Sequence, residues 1–323
     1  MLKQEAEDGQ ASLVDPNFRA DVLTGLSARP RAIPARWFYD RRGSELFEEI
    51  TQLPEYYPAR TETALLREVC PRLGIAPGAA VVEFGSGSSV KTPTLLAAID
   101  SAAYVPIDIS GDFLRQSARE LGQAFPGLPV HPVEADFLRP VPLPAQVADL
   151  PKLGFFPGST IGNMNAWHAV DLLRAMREWL GEGAQLLIGM DRVKSPDVLV
   201  PAYDDAQGVT AAFNLNLLER INRELGGTIP VDAFRHRAIW NADAARIEMH
   251  LEAQRDVAFE VDGRPFAIAA GETIHTENSH KYGPNGGRML LRAGGWTPVR
   301  EWTDPDDWFA LILCEAQPIR RAP

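Results

Sequence analysis

Five short apolar runs, VVEF (81–84), AYVPID (103–108), PVHPVEAD (129–136), GFFPGS (154–159) and QLLIGMD (185–191), alternate with segments of helical spacing such as FLRQSARELGQAF and AVDLLRAMREWL. This alternation restricts the fold more than any other feature of the chain. Parallel neighbours in a sheet need crossovers of a dozen or more residues, and helical crossovers cover both faces of the sheet they serve. The fold class is therefore α/β and doubly wound. Residues 15–66 read as helical, with DPNFRADVLTGLS opening on Asp15 and Pro16 as a helix start. From about residue 196 the texture changes to a polar stretch and a helix that stops at Gly226-Gly227. Strand-like HRAIWN, ARIEMHLEA, VAFEVDG, PFAIAAG and ETIHTENS follow, with Ile247, Met249 and Leu251 on one face. They predict an antiparallel meander inserted after the fifth parallel strand. RMLLRAGGWTPVREW and WFALILCEA then supply a helix and two strands that return to the first sheet.

Charge narrows the partners. The 323 residues carry 43 acids against 32 bases, a net charge of -11, so no basic field attracts a phosphate backbone and nucleic acid is not expected as a partner. No window approaches the roughly 18 uninterrupted apolar residues of a membrane helix. The polar start MLKQEAEDGQ lacks the apolar run of a secretory signal and reads as a frayed tail of a cytoplasmic protein. Cys70 and Cys314 stand alone, outside any C-x-x-C spacing, and read as buried small hydrophobes. The six histidines show no ligand spacing, so no metal site is expected.

The chemistry gathers at strand ends. VVEF runs into GSGSSVKT, where Gly85 and Gly87 let backbone approach a ligand at the carboxyl edge of the sheet. The spacing fits neither a P-loop nor G-x-G-x-x-G, since Val90 holds the third glycine position. Asp108 ends the second strand about 20 residues beyond the glycines, where a carboxylate takes a ribose diol. Asp136 and Phe137 end the third, an acid for an adenine amino group beside a ring that stacks on the base. With no phosphate to hold, this succession points to S-adenosylmethionine rather than a dinucleotide. Asn163 follows the fourth strand and offers both a donor and an acceptor there. In IHTENSHKYG, strand alternation sets Glu277 and Ser279 side by side, with His275 on the same edge. That stretch is either a grip for a ligand nitrogen or the solvated face of an edge strand.

Six blocks in order, ARWFYDRRGSELFEEITQLPEYYPARTETALL, EFGSGSSVKT, VPIDISGDFLRQSA, FFPGSTIGN, PAYDDAQGVTAAFNLNLLERIN and IHTENSHKY, resemble the L-histidine Nα-methyltransferase family of ergothioneine biosynthesis, from about residue 15 to the C-terminus. The resemblance implies a Rossmann-like methyltransferase domain of residues 61–195 and 286–323 and an α+β substrate-binding domain of residues 11–60 and 196–285. It implies that Gly85, Lys91, Asp108, Asp136 and Phe137, with Tyr39, bind S-adenosylmethionine. Tyr56, Asn163 and Tyr203 would hold the carboxylate and amine of L-histidine, with Glu277 and Ser279 reading its imidazole. Met249 and Asn278 complete the substrate set, and Tyr39, Tyr56 and Asn163 are the residues placed at the chemistry. The implied reaction is trimethylation of the α-nitrogen to hercynine, by a monomer with no nucleic-acid or membrane partner. Two alternatives stand beside it: a methyltransferase of the same fold for another small amine such as tryptophan, and a cofactor-binding module without turnover.

Overall fold

In the computed structural model, which describes residues 14–87 and 89–318, a seven-stranded sheet forms the larger layer. The N-terminal tail expected from MLKQEAEDGQ lies outside the described residues. From one edge to the other the strands are Trp296–Thr303, Phe309–Ala316, Gln185–Asp191, Lys152–Phe156, Ala79–Phe84, Ser101–Asp108 and Val133–Glu134. The five from Ala79 to Asp191 are parallel, and the last two strands of the chain add antiparallel to Gln185–Asp191. Every residue of Ala79–Phe84 is buried, as a parallel strand covered on both faces requires. Its neighbours on either side are the second and fourth parallel strands, so the chain order reverses beside it. The crevice outside the carboxyl ends at that reversal is where such sheets bind ligands.

The smaller sheet has the order Arg31–Ala32, Thr273–His280, Arg246–Ala253, Phe234–Asn241. The helix Val209–Leu225 ends on Gly226, whose φ of 59° is the left-handed conformation of a helix C-cap. Its buried Phe213, Leu217, Leu218 and Ile221 share one core with Phe18 and Phe38 from the N-terminal segment and Ile247, Met249 and Leu251 from the sheet. Two further apolar clusters flank the large sheet. Cys70 and Cys314 are buried among them as free thiols.

Three expectations change. Residues 15–66 are not one helical stretch: Pro16–Ser27, Arg41–Thr51 and Tyr57–Val69 are helices, and between them Arg31–Ala32 joins the small sheet in parallel with Thr273–His280. Pro30 and Pro34 lack the amide hydrogens a helix would need, and the chain turns extended there. The meander is also interrupted. Val257–Val261 and Arg264–Ile268 pair only with each other, as a ribbon closed by Asp262-Gly263, both at positive φ. A two-residue Asp-Gly turn of this kind makes a self-contained hairpin, which leaves Thr273–His280 to pair with Arg246–Ala253 directly. In the third parallel region the strand shrinks to Val133–Glu134, with one further parallel bridge from Val130 to Tyr104.

Asp191, at the end of Gln185–Asp191, connects the two sheets. Its carboxylate accepts from Tyr57 Oη at 2.7 Å, Lys194 Nζ at 2.6 Å and Lys281 Nζ at 2.7 Å, while Tyr282 N–H donates to its carbonyl at 2.8 Å. Burial pushes this carboxyl up, but Lys281 and Lys194 outweigh it and hold the group below its ordinary value. Removing one partner of a buried ion pair leaves the others uncompensated, at a cost of about 3–5 kcal/mol. Asp191→Asn is accordingly expected to lose about that much stability in urea unfolding at neutral pH. A loss within about 0.5 kcal/mol, the range of ordinary surface changes, contradicts the connection.

Candidate active site

Every candidate residue named from the sequence borders a single cavity of about 1510 Å³ between the two sheets. Ligand pockets usually run to about 300–1,000 Å³, so this one has room for two small molecules at once. Its floor is the carboxyl edge of the large sheet.

On that floor Gly85 takes φ of 71°, and a Cβ added there would stand 3.5 Å from the Phe137 ring. Backbone and ring thus form a cradle. Phe137 is held edge-on by Phe156, with ring centroids 5.8 Å apart. Asp108 accepts from Gly87 N–H and Ser110 N–H, each at 2.9 Å, which locks its carboxylate at the strand end. Burial raises its pKa, and those same amide bonds oppose the shift. Asp136 accepts from Leu138 N–H at 2.9 Å and from Arg36 at 3.4 Å, so an arginine from the N-terminal segment closes over this end. Lys91 is bound to the fully buried Glu62, whose carboxylate also takes Gly158 N–H at 3.0 and 2.8 Å. One acid thereby clamps the glycine loop to the loop after Lys152–Phe156. Beneath it Glu83 accepts from Thr92 and Tyr104, both at 2.6 Å, and burial lifts its carboxyl to about 7 against those bonds.

The other end of the cavity is aromatic and polar. Tyr39 and Tyr56 lie edge-on to Phe47 at 5.7 and 6.3 Å, and Tyr56 also meets Tyr203 at 6.0 Å. Among the described residues neither Tyr39 nor Tyr56 has a hydrogen-bond partner for its hydroxyl. Burial, and then the charge of Glu277, pushes Tyr39 well above its ordinary value; burial, Tyr203 and Glu277 do the same for Tyr56. Both stay neutral phenols. Asn163 donates to Glu277 Oε1 at 3.3 Å. Burial lifts the Glu277 carboxyl to about 7, with Lys281 pulling the other way. Ser279 Oγ and Tyr203 Oη are 2.8 Å apart, and Lys281 Nζ reaches both.

The strand that carries this pair departs from simple alternation. Thr276 is an extra residue: the register runs His275 to His250, then Glu277 to Met249. The bulge resets parity, so Ile274, Glu277 and Ser279 share the face of Met249 and Ile247, and His275 moves to the opposite face. There its ring stacks on His250 at 4.8 Å, which corrects the expectation that His275 stands beside Glu277 and Ser279. Asn278 pairs with Glu248 on that opposite face and meets the cavity at its margin. Glu248, His250 and His275 bring ligand-type atoms within 4.8 Å of one another, a cross-strand grouping that no sequential spacing announces. Arg246 already holds Glu248 at 2.7 and 2.6 Å. A cation would have to compete with that guanidinium.

Glu62, Glu83, Arg36 and Lys281 escape a reading by motif because each acts on another residue, not at a strand end. Only a charged residue type inside an apolar run, as Glu83 is in VVEF, carries a signal.

The fit to an adenosyl cofactor is thus a glycine turn against a ring, a locked carboxylate and a second acid in succession. Residues 18–316 match the family described as histidine-specific methyltransferase, SAM-dependent. The histidine N-alpha-methyltransferase of Mycolicibacterium smegmatis is 41% identical, over 92% of this chain and 94% of that one. That of Mycobacterium tuberculosis is 39% identical over the same shares. Ergothioneine biosynthesis protein 1 of Neurospora crassa is 28% identical over 94% of this chain, which spans 36% of that longer protein. With its strand-end acids, its glycine cradle and the aromatic, polar end of the same cavity in place, the chain belongs to the histidine-specific, S-adenosylmethionine-dependent methyltransferase family.

Proposed function

We propose that this protein transfers methyl groups from S-adenosylmethionine to the α-nitrogen of free L-histidine, stepwise to the trimethylated product hercynine. The observation that carries the proposal is the pairing of Glu277 with Ser279 on one strand face at the aromatic, polar end of the cavity. An imidazole offers one N–H and one lone pair, and a carboxylate beside a hydroxyl matches both. The large-sheet part, residues 61–195 and 286–323, serves the cofactor, and residues 11–60 with 196–285 serve the amino acid. A free metabolite as partner of a cytoplasmic monomer agrees with the net charge of -11. Among the described residues no helix is long and apolar enough to cross a membrane.

When bound, S-adenosylmethionine supplies an electrophilic methyl carried on a sulfonium. Asp108 takes the ribose hydroxyls, Asp136 and Phe137 the adenine, and Gly85 gives the backbone clearance; Lys91 stays near the glycine loop through Glu62. Tyr56, Asn163 and Tyr203 orient the amine and carboxylate of histidine. Met249, buried in the cavity wall, offers the ring an apolar surface. Alignment supplies most of the acceleration, as it does wherever a bimolecular step becomes intramolecular. Tyr39 and Tyr56, held as phenols, act as hydrogen-bonding groups and not as phenolate bases.

Three outcomes are expected. Asp108→Ala weakens S-adenosylmethionine binding by about 1.5–3 kcal/mol in calorimetry, the scale of hydrogen bonds to a charged group, and an unchanged affinity removes Asp108 from the cofactor site. Glu277→Ala lowers kcat/KM for histidine about 10- to 150-fold with cofactor affinity intact, while an edge strand that touches no ligand shows no kinetic effect. The third concerns pH. Because Glu277 titrates near 7, the free protein keeps it protonated at lower pH, and accepting a ring N–H requires the carboxylate. Histidine kcat/KM should fall by up to about tenfold per unit below that value, and Glu277→Gln should lose this part of the acid limb, leaving the titrations of the substrate's own amine and imidazole. An identical limb in wild type and Glu277→Gln contradicts the assignment.

A further inference from the structure

Behind the ring end of the cavity lies Lys281, whose side chain is fully buried. An ammonium has three hydrogens and no lone pair. All three hydrogens have acceptors here: Asp191 at 2.7 Å, Tyr203 Oη at 2.8 Å and Ser279 Oγ at 2.9 Å. Both hydroxyl oxygens therefore serve Lys281 as acceptors. Because they also lie 2.8 Å apart, one of their two hydrogens is used between them. The remaining hydrogen has no acceptor among the described residues, and both hydroxyls border the cavity. Whichever hydroxyl receives its neighbour's hydrogen has committed both lone pairs, so toward a ligand it can only donate; its neighbour, with its hydrogen spent, keeps the pair's one free lone pair. Lys281 adds a positive charge directly behind the pair, which favours a ligand lone pair there and opposes a ligand N–H.

We propose that Lys281 is a positioning residue that fixes the Ser279–Tyr203 pair as a hydrogen-bond donor, so that the site selects a neutral azole ring with its N–H on Glu277 and its lone pair on that pair. This rests on the reading of Glu277 and Ser279 given above. It adds the direction of each bond and a residue that touches no ligand. A protonated imidazole would bring a second N–H against a donor beside an ammonium. An indole would satisfy Glu277 but leave the spare hydroxyl hydrogen buried and unpaired, the kind of mismatch by which polar sites reject analogues.

Lys281→Met tests the proposal, because Asp191 keeps Tyr57 and Lys194 as partners. Without the ammonium, the two hydroxyls regain lone pairs and lose their fixed direction. For this variant KM for histidine should rise about tenfold or more with kcat much less affected, the pattern for lost ground-state binding. S-adenosylmethionine affinity should stay at the wild-type value, and the histidine-to-tryptophan ratio of kcat/KM should shrink. The wild-type KM and ratio in a variant that still binds the cofactor overturn the proposal. Ser279→Ala and Glu277→Ala run alongside: if neither changes histidine turnover, the ring-binding site itself is misassigned and Lys281 falls with it. If both do and Lys281→Met does not, only the role of Lys281 fails. Should Lys281→Met not fold, wild-type enzyme with a pyrrole analogue of histidine, a ring N–H without a lone pair, decides. A loss of about tenfold or more supports a fixed donor, and a kcat/KM equal to that for histidine refutes it.

Discussion

The buried carboxylate of Asp191, held jointly by Tyr57, Lys194 and Lys281, ties together what the rest of the site requires. Asp191 ends a strand of the large sheet, and Lys281 follows the last residue of Thr273–His280 in the small one. A fully buried acid and base in contact fix the distance between two sheets that otherwise share few backbone bonds, among them the short bridge between Arg192 and Tyr282. The cavity opens between the ends these residues join. Asp191 also donates its own N–H to Ser159 Oγ at 2.9 Å, and Ser159 opens the turn that carries Asn163. One buried residue thus sets the loop after the fourth parallel strand through its amide, and the small sheet and Tyr57 of the helix that begins beside Tyr56 through its carboxylate.

At the carboxyl edge of the large sheet the same logic recurs with acids that bind neighbouring residues. Glu62 binds Lys91 and the amide of Gly158; Glu83 binds Thr92 and Tyr104. Buried polar groups are tolerable when their hydrogen bonds are satisfied, and a satisfied network holds its members in one arrangement. Methyl transfer by alignment needs such rigidity. A lone pair must approach the methyl carbon opposite the bond that breaks, and small displacements are costly in rate.

Much of the fold was legible because its cause is local. Apolar runs alternating with amphipathic segments dictate a parallel sheet, and the strand-end residues Gly85, Asp108 and Asp136 fall where that sheet binds ligands. What stayed hidden depends on long-range pairing. Arg31–Ala32 is too short to read as a strand until Thr273–His280 offers an edge. The bulge at Thr276 is invisible in IHTENSHK, since alternation alone puts His275 with Glu277. Its effect is chemical: Ile274 packs in the core while Glu277 and Ser279 still face the cavity. Lys281 is the last residue of that stretch, yet only the fold shows Asp191 waiting for it.

The central claim is that the two ends of one cavity bring the methyl of one small molecule to the α-nitrogen of another. Incubating the protein with L-histidine and S-adenosylmethionine and following histidine by fragmentation mass spectrometry tests it most directly. The account predicts a final product heavier by three methyl groups, all on the α-nitrogen with the ring unmodified. Cofactor binding without any methylated histidine, or methyl groups found on the imidazole, would contradict it.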